Sequence, residues 1–285
     1  MTEPIYLTSL DDARLDCFTR LTDVQLRSLK EQESGIYLAE SEKVIARAIA
    51  AGHRVLSVLT PESAMAAVRE LLARQAGELE PQLFVGSTEQ LAELTGFQLH
   101  RGPIATVARP EPTQPAEILS SSSRVVVLDG LVDHTNVGAA FRAAAALGAD
   151  AVLLSDDCAD PLYRRAVRVS MGAVFQLPWA RLPDWRLAGP LLREHGFTQI
   201  GFALREGCVE FSRFLADPLP AKTAFLFGSE GHGLSRKAQG AADTLVKISM
   251  DHGIDSLNVA SSIAVALWGV RHAAASGAAD HEKGH

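Results

Sequence analysis

Three short, uninterrupted apolar runs constrain this chain most: Arg124–Leu128 (RVVVL), Ala151–Leu154 (AVLL) and Ala224–Phe227 (AFLF). A strand wetted on one face alternates apolar with polar residues. A run that is apolar at consecutive positions needs cover on both faces, which parallel strands between two helix layers obtain. Helix-like stretches separate the runs at Asn136–Leu147, Tyr163–Val169 and Trp185–His195. The alternation predicts an α/β fold built on a doubly wound parallel sheet. A further strand is expected over Val246–Met250, followed by a last helix from Ser256 to about Ala275 that is apolar on nearly every face until Arg271. Such a helix is expected to be buried, either in its own domain or in a subunit interface.

The stretch Arg109–Ser123 (RPEPTQPAEILSSSS) reads as an exposed linker. It predicts a first domain over 1–108, a linker over 109–123, a second domain over 124–275 and a flexible tail over 276–285. The first part is read as a small α/β domain. Its helices are expected at Ser41–Ala51, Pro61–Arg74 (with Pro61 at the N1 position) and Thr88–Leu94, and its strands at Arg54–Leu59 and Leu83–Val85.

The 285 residues are 47% apolar and 21% charged, with a net charge of −7, which excludes wholesale disorder and argues against a non-specific coat for nucleic acid. No membrane span or signal peptide is read. Cys17, Cys158 and Cys208 lie far apart, which fits a reducing cytoplasm, and the nine histidines show no metal-ligand spacing, so no metal is expected.

Three clusters carry chemistry. The first, Asp129–Asp150, runs from a strand end into a helix that Thr135 or Asn136 is expected to cap. Between Asp133 and Asp150 its only formal charge is Arg142, set among Ala, Val, Phe and Leu, so that guanidinium needs either a carboxylate such as Glu230 or an anionic ligand. The second, FGSEGHGLS (Phe227–Ser235), places Gly228, Gly231 and Gly233 around Glu230 directly after a strand, where glycine lets backbone approach a ligand. Its spacing is neither that of a dinucleotide fingerprint nor that of a phosphate-binding P-loop. The third, KISMDHGIDSLNVASS (Lys247–Ser262), reaches the last helix through Gly253 and Ser256-Leu257-Asn258. Ser256 or Asp255 reads as an N-cap, and the Asn258 amide as a group able to orient a hydroxyl.

The order Asn-x-Gly-x-x-x-Arg, Gly-x-Glu-Gly-x-Gly-Leu, Ile-x-Met…Ser-Leu-Asn-Val resembles the SpoU/TrmH branch of the SPOUT RNA methyltransferases over roughly 124–272. The first part, through Gly35–Ala39, Glu42–Ala51 and His100–Pro110, looks like the substrate-binding domain, similar to small ribosomal proteins, that such enzymes carry. The chain departs from the family pattern in having Thr135 for proline, Ser229 for asparagine and Ser249 for proline.

The resemblance implies a SPOUT-type parallel sheet with a C-terminal trefoil knot, a homodimer joined through the last helix and the helix after the first motif, and S-adenosylmethionine as methyl donor. Phe227, Gly228, Ser229, Gly231, Gly233, Ile248, Met250 and Leu257 would cradle the donor. Arg142 would position or activate a ribose 2′-hydroxyl. Asn136, Ser256 and Asn258 would shape the pocket, and Glu230 would hold Arg142 or its own loop. The RNA is expected to be ribosomal in preference to transfer RNA. A non-catalytic RNA-binding or ribosome-assembly factor on the same fold is the alternative. Positive surface for RNA is expected from Pro161–Arg193, where Arg164, Arg165, Arg168, Arg181, Arg186 and Arg193 face Asp184 alone. Arg164, Arg165 and Arg168 are read as phosphate contacts, and Tyr163, Phe175, Trp179 and Trp185 as interleaved aromatics.

Overall fold

The structure, a computed structural model, describes residues 3–19, 21, 33–75, 80–97, 102–252 and 254–282, with side chains described as far as residue 273. Gly253 and the His100–Arg101 start of the His100–Pro110 segment lie outside the described residues. In chain order the elements begin with β1 (Pro4–Tyr6), β2 (Ile36–Glu40), α1 (Glu42–Ala50), β3 (Val55–Pro61), α2 (Met65–Leu72), β4 (Gln82–Gly86), α3 (Thr88–Thr95) and β5 (Ile104–Ala108). There follow α4 (Pro115–Ser121), β6 (Arg124–Asp129), α5 (His134–Ala146), β7 (Ala151–Leu154), α6 (Arg164–Val169), β8 (Trp179–Arg181) and α7 (Trp185–Glu194). The chain ends with β9 (Thr198–Phe202), β10 (Val209–Glu210), α8 (Phe211–Phe214), β11 (Thr223–Gly228), α9 (Arg236–Ala241), β12 (Thr244–Lys247) and α10 (Val259–Glu282).

Two compact units result, and their boundaries differ from a single seam. The first takes Met1–Glu111 together with Leu162–Gln176, and the second takes Pro112–Pro161 and Leu177–His285. The first unit has a five-stranded sheet in the order β1-β4-β3-β5-β2, in which β1, β4 and β3 run parallel and β5 runs antiparallel to β3 and β2. Leu15, Phe18, Leu38, Leu59, Phe84, Leu91 and Ile104 form a core against it. Pro61 closes β3 opposite Gly86 instead of opening a helix, and a turn over Glu62–Ala64 precedes α2.

The segment Leu162–Gln176 belongs to this unit because it neutralises a buried carboxylate. Glu40, at the end of β2, keeps 6% of its side chain exposed, and an unpaired charge there would be costly. Arg164 hydrogen-bonds Glu40, donates to the Leu21 carbonyl at 2.5 Å and stands over the Phe97 ring at 4.6 Å. Arg47 of α1 donates to the carbonyl of Met171. Phe175 packs 5.3 Å from Tyr37 and 5.2 Å from His53, and the Tyr37 hydroxyl meets His53 Nδ1 at 2.7 Å. Burial raises the Tyr37 phenol above its usual range and lowers the His53 imidazole below its own.

The second unit is a seven-stranded sheet in the order β10-β12-β9-β11-β6-β7-β8, with every neighbouring pair parallel. The three apolar runs are β6, β7 and β11, and Val125–Leu128, Ala151–Leu154 and Ala224–Phe227 are buried throughout. The stretch expected to be a linker is not one. Pro115 opens α4, and Ile118 and Leu119 enter the core of the sheet beside Val125 and Leu226.

The last helix is longer and more one-sided than its sequence suggests. It starts at Val259 and continues to Glu282, past the expected stop at Ala275 and into the expected tail. Val259, Ile263, Ala266, Leu267 and Val270 are buried, whereas Val265 is 39% and Trp268 59% exposed. Among the described residues no helix is long and apolar enough to cross a membrane.

Candidate active site

Ligands of open parallel sheets bind beyond the carboxyl ends of the strands. Here the ends of β9, β11 and β12 enclose a cavity of about 300 Å³. Phe202 at the end of β9 stacks on Phe227 of β11 with ring centres 4.5 Å apart and planes 15° apart, and both rings line the cavity. The eight residues expected to cradle a donor (Phe227, Gly228, Ser229, Gly231, Gly233, Ile248, Met250 and Leu257) all lie on its wall.

The glycines of the second motif have separate duties. After β11 the chain folds back on itself, the Ser229 amide donating to Gly233 O at 3.2 Å and the Gly233 amide to Ser229 O at 2.9 Å. A Cβ on Gly228 would stand 1.9 Å from the Gly233 carbonyl carbon and 2.1 Å from the Leu234 nitrogen, so only glycine fits. Gly231 makes no close approach but takes φ +83°, in the left-handed region that glycine enters freely. The loop leaves toward α9 through Ser235, whose amide donates to Asp129 Oδ2 at 2.6 Å while the Trp185 indole donates to Asp129 Oδ1 at 2.7 Å. That buried carboxylate ties the end of β6 to the exit of the glycine loop.

The opposite wall forms because β12 stops early. It ends at Lys247, not Met250, which releases Ile248–Met250 as a loop against the cavity. Beyond it Ser256 and Leu257 reach the rim, and Asn258 caps α10, its Oδ1 accepting from the Ala260 amide at 2.9 Å. Asp133 caps α5 in the same manner, accepting from the amides of Thr135 and Asn136, so neither of those residues is the cap.

All three motifs meet at Asn258. Its Nδ2 donates to Glu230 Oε1 at 2.7 Å and to Asn136 Oδ1 at 3.0 Å. Both amide protons and the cap oxygen are therefore engaged, and Asn258 orients Glu230 and Asn136 before it orients any substrate. Glu230 is the member of this trio on the cavity wall.

Arg142 does not behave as its neighbours in sequence suggest. The strip Val137, Ala140, Phe141 and Ala144 is buried, and Arg142 points away from it into solvent, with no hydrogen bond or ion pair among the described residues. Glu230 is paired with Asn258, not with Arg142.

The basic stretch is also largely committed elsewhere. Arg164 is held by Glu40, and Arg168 lies 4.0 Å from the same carboxylate. Arg181 donates to the carbonyls of Ser155, Asp156 and Cys158, and Arg193 pairs with Asp243. Tyr163, Phe175 and Trp185 are buried and offer no stacking platform. Arg165 remains exposed. Sequence reasoning missed Phe202 because its strand, TQIGF, breaks the apolar run with Gln199 and Gly201. The available signal was its placement at a strand's carboxyl end.

Residues 123–268 match the model of the SpoU rRNA Methylase family. This chain belongs to that family. The SpoU methylase is 36% identical over 259 residues to an uncharacterized tRNA/rRNA methyltransferase of Mycobacterium tuberculosis, covering 90% of this chain and 88% of the relative. It is 31% identical over 191 residues to the 23S rRNA (guanosine-2′-O-)-methyltransferase of Nitrosomonas europaea, covering 66% of this chain and 72% of that one. Its fold superimposes with a TM-score of 0.80 on the AdoMet-bound rRNA methyltransferase of Sinorhizobium meliloti, at 21% identity, over 94% of this chain and 98% of that one. This chain is thus an RNA methyltransferase of that family.

The cavity suits a small molecule such as the AdoMet bound to the Sinorhizobium meliloti enzyme. Its volume is at the lower end of small-molecule sites, it joins aromatic and aliphatic walls to a glycine loop with accessible backbone, and it carries the carboxylates of Glu230 and Asp255.

Proposed function

We propose that this SpoU methylase transfers a methyl group to a ribose 2′-hydroxyl of structured RNA, ribosomal RNA in preference to transfer RNA. One observation carries the reading: Asn258 draws Glu230 and Asn136 together at the wall of the cavity, so three motifs far apart in sequence share one site. The similarity to the 23S rRNA (guanosine-2′-O-)-methyltransferase of Nitrosomonas europaea supports the ribose and the ribosomal substrate.

When bound, S-adenosylmethionine supplies an electrophilic methyl group on a sulfonium, whose transfer leaves a neutral thioether. The chain's own task is to align and polarise a weakly acidic hydroxyl. Arg142, exposed and unpartnered among the described residues, is the cation offered to the ribose oxygen or its neighbouring phosphate. A guanidinium stays protonated at neutral pH, so it stabilises developing negative charge on oxygen while the hydroxyl proton passes to solvent water at this exposed position. Glu230 and Asn136, fixed by Asn258, shape the approach, and Ser256 on the rim bounds it. Backbone of the glycine loop, with Ile248, Met250 and Leu257, holds the donor. Exposed Arg165, flanked by half-exposed Arg168, contacts RNA phosphate, while Arg164 keeps its segment in place.

We assign the chain a C-terminal trefoil knot, in keeping with its family, and a homodimer formed on the open face of α10. Val265 and Trp268 on that face support the dimer, because an apolar strip exposed on a long helix is the usual ground for pairing. The cytoplasm is the compartment we assign, on the RNA substrate and the wide separation of the three cysteines in the sequence. Incubation with labelled donor and total RNA, followed by mapping of alkali-resistant ribose linkages, tests the reaction. Transfer is expected in ribosomal RNA and is expected to be lost in Arg142→Ala. Wild-type transfer by that variant would refute the role of Arg142. RNA binding without donor binding would point to the RNA-binding factor instead.

A further inference from the structure

The loop Ile248–Met250 forms one wall of the cavity, yet its central residue points outward. Ser249 Oγ donates to Glu210 Oε2 at 2.6 Å, and Lys247 Nζ meets Glu210 Oε1 at 2.9 Å. Both oxygens of one carboxylate are therefore spent on residues 247 and 249, which straddle Ile248. Glu210 stands opposite Lys247 in the register of the sheet, on the edge strand β10.

Glu210 is a firm post for this purpose. The next residue, Phe211, is buried and packs 5.1 Å from Phe202, the ring that stacks on Phe227 in the cavity wall. On its other side Phe211 meets Gly269 of α10 so closely that a Cβ there would lie 3.1 Å from Phe211 Cε1 and 2.8 Å from Leu215 Cδ1. A rigid link thus runs from the aromatic wall, through Phe211 and Glu210, to the loop that forms the other wall. The related motif carries proline where this chain has Ser249. Proline would stiffen such a loop by fixing φ, and serine does not.

We infer that Glu210 and Ser249 are positioning residues that clasp the Ile248–Met250 loop in its donor-holding shape. The inference rests on the reading of the cavity as the donor site. Neither residue needs to touch the donor. Their bond lowers the cost of ordering Ile248 and Met250 before it arrives.

The test is calorimetric titration of the full-length protein with S-adenosylhomocysteine, for the wild type, Ser249→Ala, Glu210→Gln and the double variant. Leu257→Trp, which fills the cavity, serves as the blocked control. Each single variant is expected to bind about fivefold more weakly, the loss of one charge-assisted hydrogen bond at a half-exposed site. The double variant is expected to lose no more than Glu210→Gln alone, because the bond that Ser249→Ala removes is one of the two that Glu210 makes. In methyl transfer the donor KM is expected to rise with kcat unchanged, a split that general destabilisation does not produce. Single variants that bind as the wild type does, or a double variant whose loss is the product of the singles, would overturn the clasp while leaving the donor site intact. A wild type that does not bind, or a Leu257→Trp variant that binds normally, would overturn the cavity assignment and the clasp with it.

Discussion

Gly228→Ala is the sharpest perturbation the site offers. The added methyl carbon would stand 1.9 Å from the Gly233 carbonyl carbon and 2.1 Å from both the Gly233 oxygen and the Leu234 nitrogen. Ordinary contact begins at 3.4 Å, so main chain, not a flexible side chain, must retreat by about 1.5 Å. That retreat breaks both backbone hydrogen bonds between Ser229 and Gly233, worth about 1 kcal/mol each, and adds overpacking strain of about 1–3 kcal/mol. The closed loop is then disfavoured by roughly 3–5 kcal/mol, which corresponds to a loss of donor affinity of at least about 100-fold. Gly231→Ala provides the contrast. It meets nothing within 4 Å and bears only the cost of φ +83°, about 1 kcal/mol, or roughly fivefold in affinity. Calorimetric titration with S-adenosylhomocysteine, paired with urea unfolding, reads both variants. A Gly228→Ala protein that binds within twofold of the wild type would show the loop geometry to be wrong.

Three further outcomes are expected. Arg164→Ala leaves Glu40 buried without its partner and is expected to destabilise the first unit by about 3–5 kcal/mol in chemical unfolding, whereas Arg165→Ala leaves stability unchanged and weakens RNA binding in filter assays. Equal stability of the two variants would contradict the structural role given to Arg164. His53, held neutral by burial, has a folded-state pKa below its unfolded value of 6.5, so the unfolded chain binds its proton first. Stability is therefore expected to be full above pH 6.5 and to fall as the pH drops from there toward the lowered value, and His53→Gln should flatten that slope in thermal melts. Salt should weaken RNA binding, with a shallower dependence for Arg165→Ala than for the wild type, as competition titrations would show.

The sheet was legible where burial was simple. RVVVL, AVLL and AFLF read directly as strands covered on both faces, and so they are. β9 escaped because a core strand can hide a polar residue that finds one partner. Gln199 is fully buried, its Nε2 donating to the Gly189 carbonyl at 3.1 Å while its Oε1 has no partner among the described residues, and Gly201 is small because Leu245 and Leu234 crowd it. The cavity wall was legible as glycines and motif spacing. The trio at Asn258 was not, since hydrogen bonds spanning 28 and 122 residues leave no local trace. Arg164 misled for the same reason. Its spacing to Arg168 suggests a charged face, but its partner Glu40 lies 124 residues upstream. The open face of α10 was hidden in composition alone, which records how apolar a helix is and not which side is covered.

The interrupted first unit has a consequence for synthesis. Its N-terminal stretch ends at Glu111, but Leu162–Gln176 emerges only after four elements of the second unit have been made. Until then Glu40 lacks Arg164, and Tyr37 and His53 lack Phe175. At roughly 5–20 residues per second, the delay on the ribosome is several seconds. The nascent five-stranded sheet must wait with a charged and an aromatic gap at β2, so a fragment that stops at Glu111 should emerge as a sticky intermediate and a natural client for chaperones, not as a free-standing module.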